Sequence, residues 1–313
     1  MNDDISSNAA DSPSDGIGGR TFRLHNVTVP ARPLDPALYL VATPIGNLGD
    51  ITLRALETLA GADVLACEDT RVTRVLLDRY GIHNRPYAYH EYNADEAGPK
   101  LLAALEGGRS VALVSDAGTP LVSDPGYRLA IQAIDAGYRV IPIPGASAPL
   151  AALVGSGLPN DAFFFAGFLP VKDKARRDRL AALSSVPATL LFFESPHRIA
   201  ATLAAAADVL GDDRKASVCR ELTKTFEEFR RGTLSELAAY YQGVDNVKGE
   251  IVLVVGPPPE TETPEADVEA VLLDLSKTMP TAKAAAEAAR ITGLPRRDLY
   301  QRLLSMKGKG DAQ

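Results

Sequence analysis

At 313 residues, 46% hydrophobic and 23% charged, the chain is long enough for two ordinary α/β domains and a smaller appendage rather than one core. Its formal net charge of −7 excludes a protein that coats nucleic acid nonspecifically, because backbone phosphates demand a basic surface. The two cysteines, Cys67 and Cys219, lie in apolar strand-like settings with no C-x-x-C spacing, so no metal site is expected and a reducing compartment, the cytoplasm, is the expected location.

The first residues, "MNDDISSNAADSPSDGIGGR", have neither a basic n-region nor an apolar h-region, and nowhere do about eighteen apolar residues run together, so neither a signal peptide nor a membrane span is expected. Residues 1–36, rich in Ser, Asp, Gly and Pro, are expected to form a disordered N-terminal extension. Apolar strand-like runs follow at 38–43, 62–66, 110–115 and 138–143, separated by stretches with helical spacing such as Leu53, Leu56 and Leu59. Strand alternating with helix predicts a mostly parallel sheet in an N-terminal α/β domain over 37–156. A second α/β domain over 157–256 is predicted from runs at 161–168, 188–193, 216–221 and 250–255, with an Ala-rich helix from Ile199 to Leu210 and a boundary near Ser156 to Pro159. Residues 257–265, "PPPETETPE", read as an extended linker.

Residues 266–313 read as a basic helical module, with a Gly-Leu-Pro turn between two helices at the spacing of a helix-turn-helix. From Lys277 to Lys309 eight lysines and arginines stand against two acidic residues, Glu287 and Asp298. That asymmetry against an acidic body points to a phosphate-binding surface rather than a merely solvated tail.

Three Gly/Pro-rich loops follow strands of the first domain. They are "VATPIGNLGDIT" (41–52), with Asp50 read as the cap of the next helix, "SDAGTPLVSDPG" (115–126) and "PIPGASA" (142–148). The first lacks the Gly-Lys-Ser/Thr of a phosphate-binding P-loop, and its Gly46-x-x-Gly49 spacing misses the dinucleotide fingerprint, which disfavours a nicotinamide enzyme. Ligands of open α/β sheets bind outside the carboxyl ends of the strands, so three permissive loops at that edge outline one site.

"ATPIGNLGDIT", "CEDTR" (67–71), "SDAGTPLVSDPG", "PGASA", "FFESPHR" (192–198) and "KTFEEFRRGT" (224–233), in this order, resemble the ribosomal RNA small subunit methyltransferase I family of the tetrapyrrole-methylase superfamily. The resemblance covers roughly 37–256. It implies a two-domain tetrapyrrole-methylase-like α/β fold, here with a small C-terminal helical module, and S-adenosylmethionine bound between the domains of a homodimer. The implied reaction is 2′-O-methylation of a cytidine in the decoding centre of 16S rRNA, with the small ribosomal subunit as partner. Carried over by motif, it implies cofactor contacts from Pro44, Gly46, Asn47, Gly118, Thr119, Val122, Ser123, Ser147 and Ala148, with Glu250 adding one from the second domain. Gly and Ser at such positions let main-chain groups approach a ligand closely.

Methyl transfer from a sulfonium is a displacement that needs alignment and a proton acceptor. Glu68, Asp69 and Arg71 of "CEDTR", His90 of "HEYN" (90–93) and Glu194 are the candidate catalytic residues, and the sequence leaves the choice among them open. Arg198, Lys283, Arg296, Arg297 and Arg302 are the candidate RNA-binding residues. C-methylation of a tetrapyrrole would use the same pocket, but the tetrapyrrole relatives carry Gly-Asp-Pro where this chain has Gly118-Thr119-Pro120, and a basic module has no use on a porphyrin. A noncatalytic ribosome-assembly factor is the third reading; a dead scaffold would have no need to keep the pocket.

Overall fold

The structure, a computed structural model, describes residues 19–123, 126–259 and 265–310. Residues 1–18 of the expected extension and 260–264 of the expected linker lie outside the described residues. The chain divides into two compact units, Met1–Pro258 and Pro259–Gln313.

The first unit begins with a correction. Part of the stretch expected to be disordered forms an antiparallel hairpin, β1 (Thr21–Leu24) and β2 (Val27–Pro30). Its apolar positions explain why: Phe22 and Ala31 are buried in the core against the first helix, and Arg20 donates to the carbonyl of Gly61 and pairs with Asp63. Composition hid a few apolar side chains that had a surface to cover.

Five strands follow: β3 (Leu38–Val41), β4 (Val64–Cys67), β5 (Pro86–Ala88), β6 (Val111–Val114) and β7 (Val140–Ile143). They pair in the order β5-β4-β6-β3-β7, every pair parallel. Both faces are covered. Tyr39 and Val41 point to α1 (Leu53–Gly61) and α2 (Thr70–Arg79), while Leu38 packs with α3 (Ala94–Glu106) and α4 (Tyr127–Asp135). The alternation is the period-two geometry of a strand, and burial on both faces is why these strands read as unbroken apolar runs.

The helix α5 (Ala148–Ser156) leaves β7 and packs not on the first sheet but on the second, with Ala152 and Leu153 buried there; it ends at Gly157 in a left-handed cap. The second sheet has the order β11-β10-β12-β9-β8, built from β8 (Phe163–Phe168), β9 (Thr189–Glu194), β10 (Lys215–Arg220), β11 (Glu228–Thr233) and β12 (Ile251–Val255). β8 and β9 are parallel, joined through α6 (Asp173–Leu183), and the remaining pairs are antiparallel. Leu190, Phe192, Val218 and Leu253 face α6, α7 (Ile199–Leu210) and α8 (Leu234–Gln242). Sequence reading missed β11 because "EFRRGT" is an edge strand carrying charges instead of an apolar run.

Among its described residues the second unit holds three helices, α9 (Glu265–Thr278), α10 (Thr281–Thr292) and α11 (Arg296–Gly310). Val268, Leu272, Ala284, Ala285, Ala288, Leu299 and Leu303 form its buried core. Gly293, in the left-handed conformation, ends α10 before Leu294 and Pro295 lead into α11.

Candidate active site

Because β6, β3 and β7 are neighbours, the loops that follow them leave the sheet side by side at its carboxyl edge. Two of these loops are fastened together: Thr43 N donates to the Gly118 carbonyl at 2.8 Å, Gly118 N returns the bond to Thr43 at 3.1 Å, and Thr43 Oγ1 donates to Ser115 O at 3.2 Å. The third is tied in by Thr119 Oγ1, which donates to Ala146 O at 3.3 Å.

Above them lies a cleft of about 390 Å³, closed on its other side by the ends of β8 and β9 and the start of β12. Of the residues expected to hold the cofactor, Gly118, Thr119, Val122, Ser123, Ser147, Ala148 and Glu250 line it, and so does Glu194. Pro44, Gly46 and Asn47 do not; their neighbour Ile45 does. Asn47 is spent locally, its Oδ1 accepting from Gly49 N as the cap of a short 3-10 turn, Leu48–Asp50. That turn displaces the helix start, so Thr52, not Asp50, caps α1 by accepting from Ala55 N. Gly46 has a different duty. A Cβ there would run into the side chain of Lys224, which crosses from the second sheet.

The apolar part of the lining, Ile45, Phe168, Phe193, Leu222, Ile251 and Val252, escaped sequence reading, because nothing in an apolar strand end or loop marks it as ligand-facing before two sheets are brought together.

The lining fits S-adenosylmethionine. Apolar walls suit adenine, and the hydroxyls of Ser123, Thr119 and Ser147 suit ribose and the amino-acid end. Gly118 has φ +81° and a Cβ on it would stand 3.3 Å from Ile45 Cγ2, so its bare backbone keeps the floor open. Ser147 is the N-cap of α5 yet makes no capping bond with its side chain, so both that hydroxyl and the helix N-terminus suit a carboxylate.

Apart from Glu194, the candidate catalytic residues fall elsewhere on the first sheet's edge. Glu68 and Asp69 follow β4 and His90 follows β5, on the half of the edge away from β7, and none lines the cleft. Asp69 caps α2 and grips Arg71, accepting from its main-chain N at 2.8 Å and from its guanidinium at 2.6 Å. Those bonds hold the Asp69 carboxyl down at about 2. His90 Nδ1 is buried with no hydrogen-bond partner among the described residues. Glu194 is 3% exposed and fully engaged: Oε2 accepts from Thr202 Oγ1 at 2.6 Å, Oε1 from Ser195 N at 2.7 Å, with Arg198 Nε 3.3 Å from Oε1. Arg198 is itself turned inward, donating to Leu169 O at 2.6 Å. In the second unit Lys283, Arg296, Arg297 and Arg302 are exposed.

Two sheets meeting at a glycine-lined cleft on the carboxyl edge of the first define a methylase of the tetrapyrrole-methylase class, and residues 37–238 match the sequence model of the family described as Tetrapyrrole (Corrin/Porphyrin) Methylases. Residues 262–307 match a second, described as the RsmI C-terminal HTH domain. A protein of Mesorhizobium japonicum named Ribosomal RNA small subunit methyltransferase I is 66% identical over 90% of this chain and 97% of its own length. One of the same name from Escherichia coli is 46% identical over 87% and 96%. The chain belongs to the ribosomal RNA small subunit methyltransferase I family. Among solved structures, the uroporphyrin-III C-methyltransferase of Thermus thermophilus complexed with S-adenyl homocysteine matches with a TM-score of 0.50 and 20% identity over 70% of this chain and 97% of that one, a likeness of fold.

Proposed function

We propose that this chain is an S-adenosylmethionine-dependent rRNA methyltransferase that methylates the ribose 2′-oxygen of a cytidine in the decoding centre of 16S rRNA, acting on the small ribosomal subunit. The observation that carries the reading is a match running through both the methylase body and the helix-turn-helix unit to relatives named for small-subunit rRNA methylation. When bound, the cofactor supplies an electrophilic methyl group. The chain supplies the rest: Gly118, Thr119, Ser123 and the α5 N-terminus at Ser147 and Ala148 orient the donor, and the apolar walls keep water from it. Pro44, Gly46 and Asn47 shape the loop that presents Ile45. Glu250 is held beside Lys224 at 3.0 Å, at the mouth. Glu68, Asp69, Arg71 and His90 form the substrate side of the edge, with Arg71 exposed for a phosphate. Arg198 and Glu194 brace the wall instead of meeting RNA. Lys283, Arg296, Arg297 and Arg302 contact rRNA phosphates.

The working species is a homodimer in the cytoplasm. Large apolar side chains stand exposed on α4 (Tyr127, Ile134), α5 (Leu150, Val154) and β8 (Phe163, Phe168), more than a solitary monomer ordinarily leaves in water. Among the described residues no helix is long and apolar enough to cross a membrane.

The test is labelled methyl transfer offered side by side to isolated small subunits, naked 16S rRNA and a tetrapyrrole. Label is expected in 16S rRNA of subunits, at a ribose whose 3′ phosphodiester resists alkali. Label in the tetrapyrrole, or in a base, overturns the reading.

A further inference from the structure

Three carboxylates singled out by motif, two as candidate proton acceptors and one as a cofactor contact, are spoken for. Asp69 spends both oxygens on Arg71, Glu194 is bonded through both of its own, and Glu250 is paired with Lys224. Between the donor half of the edge and the half bearing Asp69 and His90 stands another carboxylate, Asp116, two residues past the end of β6.

Its backbone is immobilised on both sides: Ser115 O accepts from Thr43 Oγ1, Gly118 is doubly bonded to Thr43, and the adjoining Ala117 lines the cleft. Oδ1 of Asp116 accepts from Asp69 N at 3.0 Å, while Oδ2 accepts no hydrogen bond among the described residues. The groups facing it come from the turn after β4: the Asp69 carboxylate, and the Arg71 guanidinium that Asp69 holds. Partial burial raises the pKa of the Asp116 carboxyl, the Asp69 charge pushes the same way, and Arg71 and the Asp69 amide offset part of it. A carboxylate desolvated in this manner is a better base than one fixed by a guanidinium.

We infer that Asp116 is the proton acceptor of the methyl transfer, receiving on Oδ2 the proton of the attacking ribose hydroxyl. The inference rests on the reading of function above. As the oxygen–carbon bond forms, the carbon–sulfur bond breaks with its electron pair left on sulfur, and the hydroxyl proton goes to Asp116, which afterwards returns it to solvent. The Asp69 main-chain N–H aims the carboxylate, which gives "CEDTR" a positioning part in the same step.

Asp116→Asn and Asp116→Ala separate the two duties, since Asn still accepts the Asp69 N–H and Ala does not. Expected for Asp116→Asn is unchanged affinity for S-adenosylmethionine and for small subunits, a fall of at least about 100-fold in single-turnover transfer, and loss of the rising limb of the pH–rate profile. A readout independent of turnover is carboxyl ¹³C NMR of Asp-labelled protein. One resonance titrating above the ordinary aspartate range is expected in the wild type and absent from Asp116→Asn. Wild-type turnover in Asp116→Asn with a loss only in Asp116→Ala would assign Asp116 to holding the turn and overturn the inference, as would a raised resonance that survives in Asp116→Asn. A wild type inactive on subunits would instead overturn the functional reading, and the carboxyl titration would still decide Asp116.

Discussion

Gly118 exchanges both main-chain bonds with Thr43 at φ +81°, so any side chain it carried would be strained and driven toward Ile45 and the floor of the cleft. Gly118→Val is expected to abolish S-adenosylmethionine binding in calorimetry while far-ultraviolet circular dichroism stays native; wild-type affinity would remove the donor from this cleft. Thr202 is the partner that makes a buried Glu194 tolerable. Thr202→Val leaves one carboxylate oxygen in an apolar setting, and urea denaturation is expected to show a loss of about 1.5–3 kcal/mol. Asp69, held near 2 by Arg71, gives a pH signature of known sign. A depressed carboxyl pKa contributes stability above the unfolded value, about 3.9, and loses it as pH falls through the folded one. The melting temperature of Asp69→Asn is therefore expected to lie below wild type at pH 7, with the gap closing toward pH 2; a gap independent of pH would mean the Arg71 pair contributes nothing.

Elements here are short and owe their stability to what covers them. The β1–β2 hairpin is four residues a side, too little to persist alone, and survives through Phe22 and Ala31 in the core shared with α1 and through Arg20 on Gly61 and Asp63. Phe22→Ala is expected to cost about 3 kcal/mol or more in denaturant unfolding and to raise hydrogen exchange across 20–31 first. Donor affinity should hold, since the hairpin contributes nothing to the cleft lining. A cost under about 1 kcal/mol would show the hairpin to be a loose appendage. The helix α5 works differently. Its N-terminus serves the cleft while its body is buried under β10 and β12, so the donor site and the second sheet stand or fall together.

At the scale of the whole molecule, an acidic chain places a basic run, Lys277 to Lys309, in a unit with its own core. Ending the chain at Pro258 is expected to leave a folded body that binds S-adenosylmethionine normally. Its affinity for small subunits should fall, and the slope of log affinity against log salt should become shallower by about 0.7–0.9 for each phosphate that the shortened chain no longer neutralises. Arg296→Glu with Arg297→Glu should reproduce much of that fall, because both side chains are exposed and neither belongs to the helical core. Unchanged affinity and slope in the truncated protein would assign the three helices to packing instead of RNA.

What the sequence determined by itself is what depends on local chemistry and period. The apolar runs of β3, β4, β6 and β7 are buried on both faces and could be placed within a few residues; Gly118, Ser147 and the Gly293 turn were legible because few residue types serve there. The six ordered motifs carried the family for the same reason. Only the tertiary structure decided which side chains those loops share a cleft with. Ile45, Phe193 and Leu222 look like any core residues until the loops of one sheet and the strand ends of another, far apart in sequence, line one cleft. The same holds for the acids: Glu194 and Asp69 read as free carboxylates in a string of letters, and only folding gave each its partners while leaving Asp116, among the described residues, one open oxygen. A motif names the groups that a site has to hand, but burial and hydrogen bonding, which are long-range, decide which of them keeps a lone pair for chemistry.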